Sequence, residues 1–371
     1  MSERARPAMR TPPYPASPRA AAPLGRRALL RAGLGLSALP LLGGVGLTAR
    51  AQAIKFFQIG TGTTGGTYFL VGGILANAIS SPPGARPCDR GGSCGVPNLI
   101  AVAQATSGAV ENINLLRERR LESALVQADI AHAAALAEGS FAKLKPFDGL
   151  RAIANLYTET IHLVVRADGP IKTPADLKGK RLGMGEEGSG TLVTARALLA
   201  TYGLSEKTVK PLYLSPGAAG DRLVTGEADA FLIVGGYPLP AVADLARRLP
   251  IRLLAFDDQR AEQLLKRLPS FTPAQIEAGS YEGVPAVRSL GVGAQWVVRA
   301  DVPEALVHAV TGALWNDATR KLLSEGHPRG KSIRRETALK GLAVPLHPGA
   351  ERWYREAGLL GDGHQASTPM R

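Results

Sequence analysis

Two segments far apart in the chain end alike: Ile161-His-Leu-Val-Val-Arg-Ala-Asp168 and Ala294-Gln-Trp-Val-Val-Arg-Ala-Asp301. Each is an apolar, β-branched run closing in Val-Val-Arg-Ala-Asp, and a self-contained alternation of strand and helix patterns lies between them. A chain that leaves one α/β unit along the first run and returns along the second folds as two lobes with two crossing strands as the hinge. The remaining pattern agrees. Strands are expected at 55–59, 99–104, 123–126, 150–156, 161–166, 181–184, 210–213, 230–233, 251–255 and 292–299. Helices are expected at 69–79, 191–202, 239–249 and, with Pro303 at its first position, 303–315. This is an α/β protein with largely parallel sheets, too long past its leader for one comfortable core. The expected division is 54–165 for the first part of lobe I, 166–290 for lobe II, and 291–360 for the return to lobe I and its C-terminal helices. A disordered tail is expected at 361–371.

Residues 1–53 read as an address. Arg26-Arg27-Ala-Leu-Leu30-Arg31 resembles a twin-arginine export motif, a mild Gly- and Ala-rich apolar stretch follows, and Ala51-Gln52-Ala53 offers a small-residue cleavage site. That stretch is interrupted by Pro40 and falls short of the ~20 apolar residues of a membrane span. A periplasmic product is expected. The leader carries eight arginines and one glutamate, so 13 − 7 leaves a net charge near +6 on the mature chain. The remaining basic runs, Arg117–Arg120 and Arg329–Arg335, lack interleaved aromatics and read as solvated faces, not a nucleic-acid footprint. Only two cysteines occur, in Pro87-Cys88-Asp-Arg-Gly-Gly-Ser-Cys94. In an oxidising compartment this spacing reads as a local disulfide; it is too long for a redox pair and has no His or Cys nearby for a metal.

Candidate function sits where strands feed helices. Gly60-Thr-Gly-Thr-Thr-Gly65-Gly66-Thr67-Tyr68 joins an apolar strand to a helix, so its backbone amides and the positive helix end can receive an anion. It satisfies G-x-G-x-x-G, but the carboxylate a dinucleotide fold needs about 20 residues on is missing, and Gly66 stands where a phosphate-loop lysine would be. The device recurs at Gly185-Glu-Glu-Gly-Ser189-Gly190-Thr191, at Ser107-Gly108 before Asn112, at Gln127-Ala-Asp129, and at Val234-Gly-Gly236-Tyr237-Pro238. In open α/β sheets, ligands sit beyond the carboxyl ends of strands, where such loops gather. No nucleophile elbow, zinc helix or His/Cys cluster accompanies them, which favours a binding site over a reaction centre. His162, in the first hinge strand, either faces the cleft or is packed; Asp129 reads as a helix cap; Glu186 and Glu187 read as solvent-facing.

These loops, in order, resemble the substrate-binding receptors of tripartite ATP-independent periplasmic (TRAP) transporters, in the TAXI branch. The matching pieces are Ile59–Tyr68, Ser107–Asn112, Val126–Asp129, His162–Arg166, Ala175–Arg181, Gly188–Thr191, Val234–Pro238 and Val344–Ala350, covering essentially the whole mature chain. The resemblance implies a type II periplasmic-binding-protein fold that closes on a ligand and delivers it to an ion-gradient-driven TRAP permease, with no cofactor, no metal and no enzymatic activity. It implies a small anionic solute, glutamate-like or a dicarboxylate. No arginine can be placed against its carboxylate. The expected ligand-binding residues are Thr64, Gly65, Gly66, Thr67, Tyr68, Ser107, Gln127, His162, Ser189, Gly190, Thr191, Gly236 and Tyr237. A monomer is expected.

Two other readings compete. An exported NAD(P)-dependent oxidoreductase would use the Gly60–Gly65 loop. A ligand-sensing partner of a membrane signalling protein would use the same bilobal fold.

Overall fold

A computed structural model describes residues 53–361, which belong to one compact unit. The expected export motif, its cleavage site up to Gln52 and the tail from Asp362 lie outside the described residues.

The first half of the chain builds β1 (Lys55–Gly60), α1 (Thr67–Ile79), the short β2 (Ser80–Ser81) and β3 (Val96–Pro97), β4 (Leu99–Gln104) and α2 (Ala109–Arg117). It continues through β5 (Ser123–Gln127), α3 (Ala128–Leu136) and β6 (Leu150–Arg166). The central part adds β7 (Arg181–Gly183), α4 (Gly190–Thr201), β8 (Lys210–Leu212), α5 (Pro216–Val224), β9 (Ala230–Gly235), α6 (Pro240–Arg248), β10 (Ile251–Leu253), α7 (Gln259–Arg267) and β11 (Thr272–Ile276). The chain then returns along β12 (Val287–Arg299) to α8 (Glu304–Leu314), α9 (Asp317–Gly326) and α10 (Pro348–Glu356).

The two halves repeat one topology. On one side the order is β4-β1-β5-β12-β6, with β1 parallel to β4 and β5, and β12 inserted antiparallel between β5 and β6. On the other it is β8-β7-β9-β6-β10, with β7 parallel to β8 and β9, and β6 inserted antiparallel between β9 and β10. Each half thus takes its inserted strand from the chain arriving from the other half. This is the two-lobed, type II arrangement expected from the sequence. The repeated Val-Val-Arg-Ala-Asp segments end these inserted strands, and each closes with the same local ion pair: Arg166 Nε to Asp168 Oδ1 at 3.1 Å, and Arg299 Nε to Asp301 Oδ1 at 2.8 Å.

The structure corrects the sequence reading at the hinge. The strands expected at 150–156 and 161–166 are one strand of 17 residues, and β12 begins five residues before the expected Val292. The polar run Tyr157-Thr-Glu-Thr160 looks like a break, yet Gly291–Ala294 of β12 pairs with it in register. β11 was not expected; Pro273 masks it, and it is tolerated because β11 pairs only with β12 at the sheet edge. Pro303 is the N-cap of α8, one position earlier than expected.

Burial explains the rest. Phe57 and Ile59 of β1, the wholly buried β5, and Val71, Leu75 and Ile79 of α1 belong to one large core that continues through both hinge strands and includes the fully buried Trp296. A smaller core under α5 and α6 gathers Phe231, Ile233, Val242 and Leu245. Cys88 and Cys94 form the expected disulfide, and Asn316, which caps α9, donates to the Cys94 carbonyl at 3.0 Å.

One buried amide fixes the strand ends of the first lobe. Asn112 donates to the carbonyls of Thr61 (2.7 Å) and Leu125 (2.8 Å) and accepts from the Thr106 hydroxyl at 2.8 Å, so it ties the ends of β1, β4 and β5 together. Gly60 is required by this clamp, since a Cβ there would lie 2.7 Å from Asn112 Oδ1 and 2.6 Å from Leu121 Cδ1. Replacing Asn112 by Ala removes all three of these buried hydrogen bonds, while the Thr106 hydroxyl still reaches the Thr61 carbonyl at 3.1 Å. A loss of about 2–4 kcal/mol in unfolding free energy is expected, measured by urea denaturation at an unchanged m-value.

Candidate functional site

Three helix N-termini converge where the two lobes meet. A cavity of about 70 Å³ is lined by Gly66, Thr67 and Tyr68 at the start of α1, by Ser107, Gly108 and Ala109 at the start of α2, and by Ser189, Gly190 and Thr191 at the start of α4. Gly66 and Gly108 are the N-cap residues of α1 and α2, and neither helix has a side-chain cap. The first amides of those helices have no partner within the helix and carry the positive end of its dipole. Ser189 does cap α4, its hydroxyl accepting from the Leu192 amide at 3.1 Å while donating to the Glu186 carbonyl at 2.7 Å. Apolar residues of the second lobe, among them Leu214, Pro216, Leu232 and Ile233, complete the wall.

Gln127 stands between the lobes. It is buried at the end of β5, lines the cavity, and its Nε2 is without a hydrogen-bond partner. Its Oε1 lies so close to Gly190 that a Cβ there would meet it at 1.5 Å, so this contact demands glycine at the start of α4.

Glu159 is the group that sequence reasoning missed. It lies in the middle of β6, is 3% exposed and lines the cavity. Its Oε2 accepts from the Tyr68 hydroxyl at 2.9 Å. Burial pushes its carboxyl up to about 8; the Tyr68 bond pulls it back, and Asp129 nearby adds to the rise. Asp129 sits in the first turn of α3, not at its cap, which is Gln127; burial pushes it up to about 7, and its Oδ1 has no hydrogen-bond partner. The signal in the sequence was an acid inside an extended run, Ala154-Asn-Leu-Tyr-Thr-Glu159-Thr-Ile161, which reads as a loop unless the strand is taken as continuous.

Of the residues expected to bind ligand, Gly66, Thr67, Tyr68, Ser107, Gln127, Ser189, Gly190 and Thr191 line this cavity, whereas Thr64, Gly65, His162, Gly236 and Tyr237 do not. The Thr67 hydroxyl donates to the Gly236 carbonyl, and Ala241 N–H donates to the Gly65 carbonyl at 3.3 Å, so Gly65 and Gly236 join the lobes beside the cavity. Across the opposite rim, Glu111 N–H donates to the Gly188 carbonyl at 2.9 Å. Arg329 stacks over the Tyr237 ring, 3.6 Å from its centroid, and its Nε donates to the Tyr237 carbonyl at 2.7 Å. His162 is wholly buried behind the site. Its Nδ1 is 2.9 Å from the Thr160 carbonyl and must donate to it, so Nε2 accepts from the Tyr281 hydroxyl at 3.0 Å. Tyr281 in turn accepts from the Leu239 amide at 2.9 Å, fixing the start of α6; burial lowers His162 to about 4, which keeps the ring neutral. Glu187 is exposed as expected, but Glu186 is half-buried and its carboxyl is raised by that burial and by Glu111.

A family model described as the NMT1-like family matches residues 59–358. The chain belongs to the NMT1-like family. The match spans the whole cavity lining, from Gly62 to Val234, and both hinge strands. Among solved structures, this NMT1-like protein is similar to the alkanesulfonate-binding protein SsuA of Xanthomonas axonopodis pv. citri, at 19% identity over 82% of this chain and 85% of that one, with a TM-score of 0.44. It is also similar to the periplasmic aliphatic sulphonate binding protein SsuA of Escherichia coli, at 16% identity over 83% and 92%, TM-score 0.41. A binding-protein component of an ABC phosphonate transporter from Pseudomonas aeruginosa is similar at 12% identity over 73% and 79%, TM-score 0.46. Among the described residues, no helix is long and apolar enough to cross a membrane.

The buried acid gives the NMT1-like chain a distinctive pH response. A carboxyl held near 8 when folded and near 4.5 when unfolded keeps its proton in the folded state across that interval, so stability falls as pH rises through it. His162 works in the opposite direction only below about 6.5, because its folded value is lowered to about 4. From pH 6.5 to 8 the unfolding free energy is therefore expected to fall by roughly 1–2 kcal/mol, at up to about 1.4 kcal/mol per pH unit for one proton. Asp129 contributes with the same sign, while Tyr68 and Tyr157 stay protonated. Glu159→Gln should flatten most of that slope in denaturation curves recorded at each pH.

Proposed function

We propose that this protein is an extracytoplasmic solute receptor of the TAXI branch, holding a small carboxylate between its lobes and delivering it to a TRAP permease driven by an ion gradient. The glutamate-like and dicarboxylate classes are those the resemblance implies. The observation that carries the reading is the convergence of α1, α2 and α4, two of them uncapped by any side chain, on one cavity between the lobes. Orphan amides, hydroxyls and the free amide of Gln127 supply hydrogen bonds to an anion without needing a cation. Each is worth ~1.5–3 kcal/mol to a charged partner, enough in combination for micromolar affinity after ordering costs.

Export through the leader at 1–53, and closure by rotation of residues 166–290 against the rest, complete the proposal. The contacts of Thr67 with Gly236, of Gly65 with Ala241 and of Glu111 with Gly188 support such a closed form, since opening would break all three. An oxidoreductase using the Gly60–Gly65 loop finds less support. Gly60 is held against Asn112 and Leu121, and the cleft gathers helix starts from both lobes, not the single strand–loop–helix of a dinucleotide site.

A thermal-unfolding screen of the mature protein against small carboxylates, amino acids and nicotinamide nucleotides tests this. A ligand at 100 times its Kd should add about 2.7 kcal/mol of stability. Stabilisation by NAD or NADP alone would overturn the receptor reading. Gly190→Ala should weaken the active ligand by about tenfold or more, because the new methyl group displaces Gln127, while leaving the unliganded melting temperature within a few degrees.

A further inference from the structure

The ionisable side chains lining the cavity are Tyr68 and Glu159; among the described residues, no lysine, arginine or histidine lines it. An anion pocket built from helix amides therefore has a buried carboxyl as its one acidic group, with no cation beside it. Outside the cavity, the Arg329 guanidinium is committed to the Tyr237 ring and carbonyl. A dicarboxylate in this cavity would bury its second charge beside an acid, with no basic side chain in the lining to compensate it. A 2-oxo or 2-hydroxy acid would leave Glu159 with no charged partner. An α-amino acid answers both halves of the site, its carboxylate taken by the amides of α1, α2 and α4 and by Gln127 Nε2, and its ammonium by Glu159.

Resting on the receptor reading above, we infer that Glu159 is the ammonium-recognising residue and that the ligand is a zwitterionic amino acid with an apolar side chain. The side-chain preference follows from the second lobe's share of the lining: Leu214, Pro216, Ala219, Leu232, Ile233 and Val234. A second carboxylate, as in glutamate, would meet that wall and lose its hydration without a partner.

The proton inventory follows. Without ligand Glu159 is a neutral acid, kept so by burial, with Tyr68 and Asp129 facing it from α1 and α3 and Tyr157 beside it on β6. An arriving ammonium favours the carboxylate, so the Glu159 proton leaves to solvent: Glu–COOH plus ⁺H₃N–R gives Glu–COO⁻···⁺H₃N–R plus H⁺.

Titration calorimetry at pH 6.5, in buffers of different ionisation enthalpy, reads this directly. The probes are L-valine, L-leucine, 2-oxoisovalerate, L-glutamate and succinate. L-valine or L-leucine should bind about 10- to 100-fold more tightly than 2-oxoisovalerate, releasing close to one proton per ligand, and Glu159→Gln should remove both the preference and the proton. Binding of 2-oxoisovalerate, succinate or L-glutamate as tight as that of the aliphatic amino acids, or amino-acid binding with no proton released, would overturn the inference and leave the receptor reading intact. If no carboxylate of any class binds or stabilises the protein, both fall. Should Glu159→Gln fail to fold, the proton count and the amine-to-oxo-acid ratio of the unaltered protein still decide the matter.

Discussion

The antiparallel pairing of β6 with β12 is the interaction on which the rest of the molecule depends. Nine residue pairs join them, from Gly291 with Thr160 to Arg299 with Leu150. Beyond that shared ladder each strand runs on into the other lobe, β6 to β9 and β10, and β12 to β11. Neither half completes its sheet without the strand that comes from the other. The lobes are therefore continuous in hydrogen bonding through these two strands. Bulges at Ala294/Gln295 and Trp296/Val297 interrupt the ladder where β12 also pairs with β5.

That pairing also explains the chemistry of the cleft. A strand crossing beneath a cleft presents alternate side chains to it, and in β6 the position that falls there is Glu159. The residue is a weak strand former and a costly one to bury as an anion. It persists as a neutral acid bonded to Tyr68. Around it three helix starts line the cavity, two of them with glycine as the N-cap and no side-chain cap. Glycine at 190 serves the same end by letting the Gln127 amide lie against the first turn of α4.

Supporting groups behind the cavity hold these parts in place. Asn112 gathers three strand ends, and the His162–Tyr281–Leu239 relay anchors α6 next to the Gly236–Tyr237 segment. His162, which the sequence alone leaves either facing the cleft or packed, has both ring nitrogens occupied within the protein. Its role is to position, and its neutral ring follows from burial.

The sequence by itself determined the alternation of strands and helices, the two-lobed division marked by the repeated Val-Val-Arg-Ala-Asp segments, the disulfide, and the glycine-rich loops at the cleft. Each is a local property, written in periodicity, turn residues or spacing. Only the tertiary structure decided that Tyr157–Thr160 is strand and not loop, because its extended form is imposed by β12, more than a hundred residues away. It likewise decided that Glu159 and Gln127 share one cavity while His162, Gly236 and Tyr237 stand outside it. Which face of a strand meets the cleft depends on register, and register is set by the partner strand, which no local pattern contains.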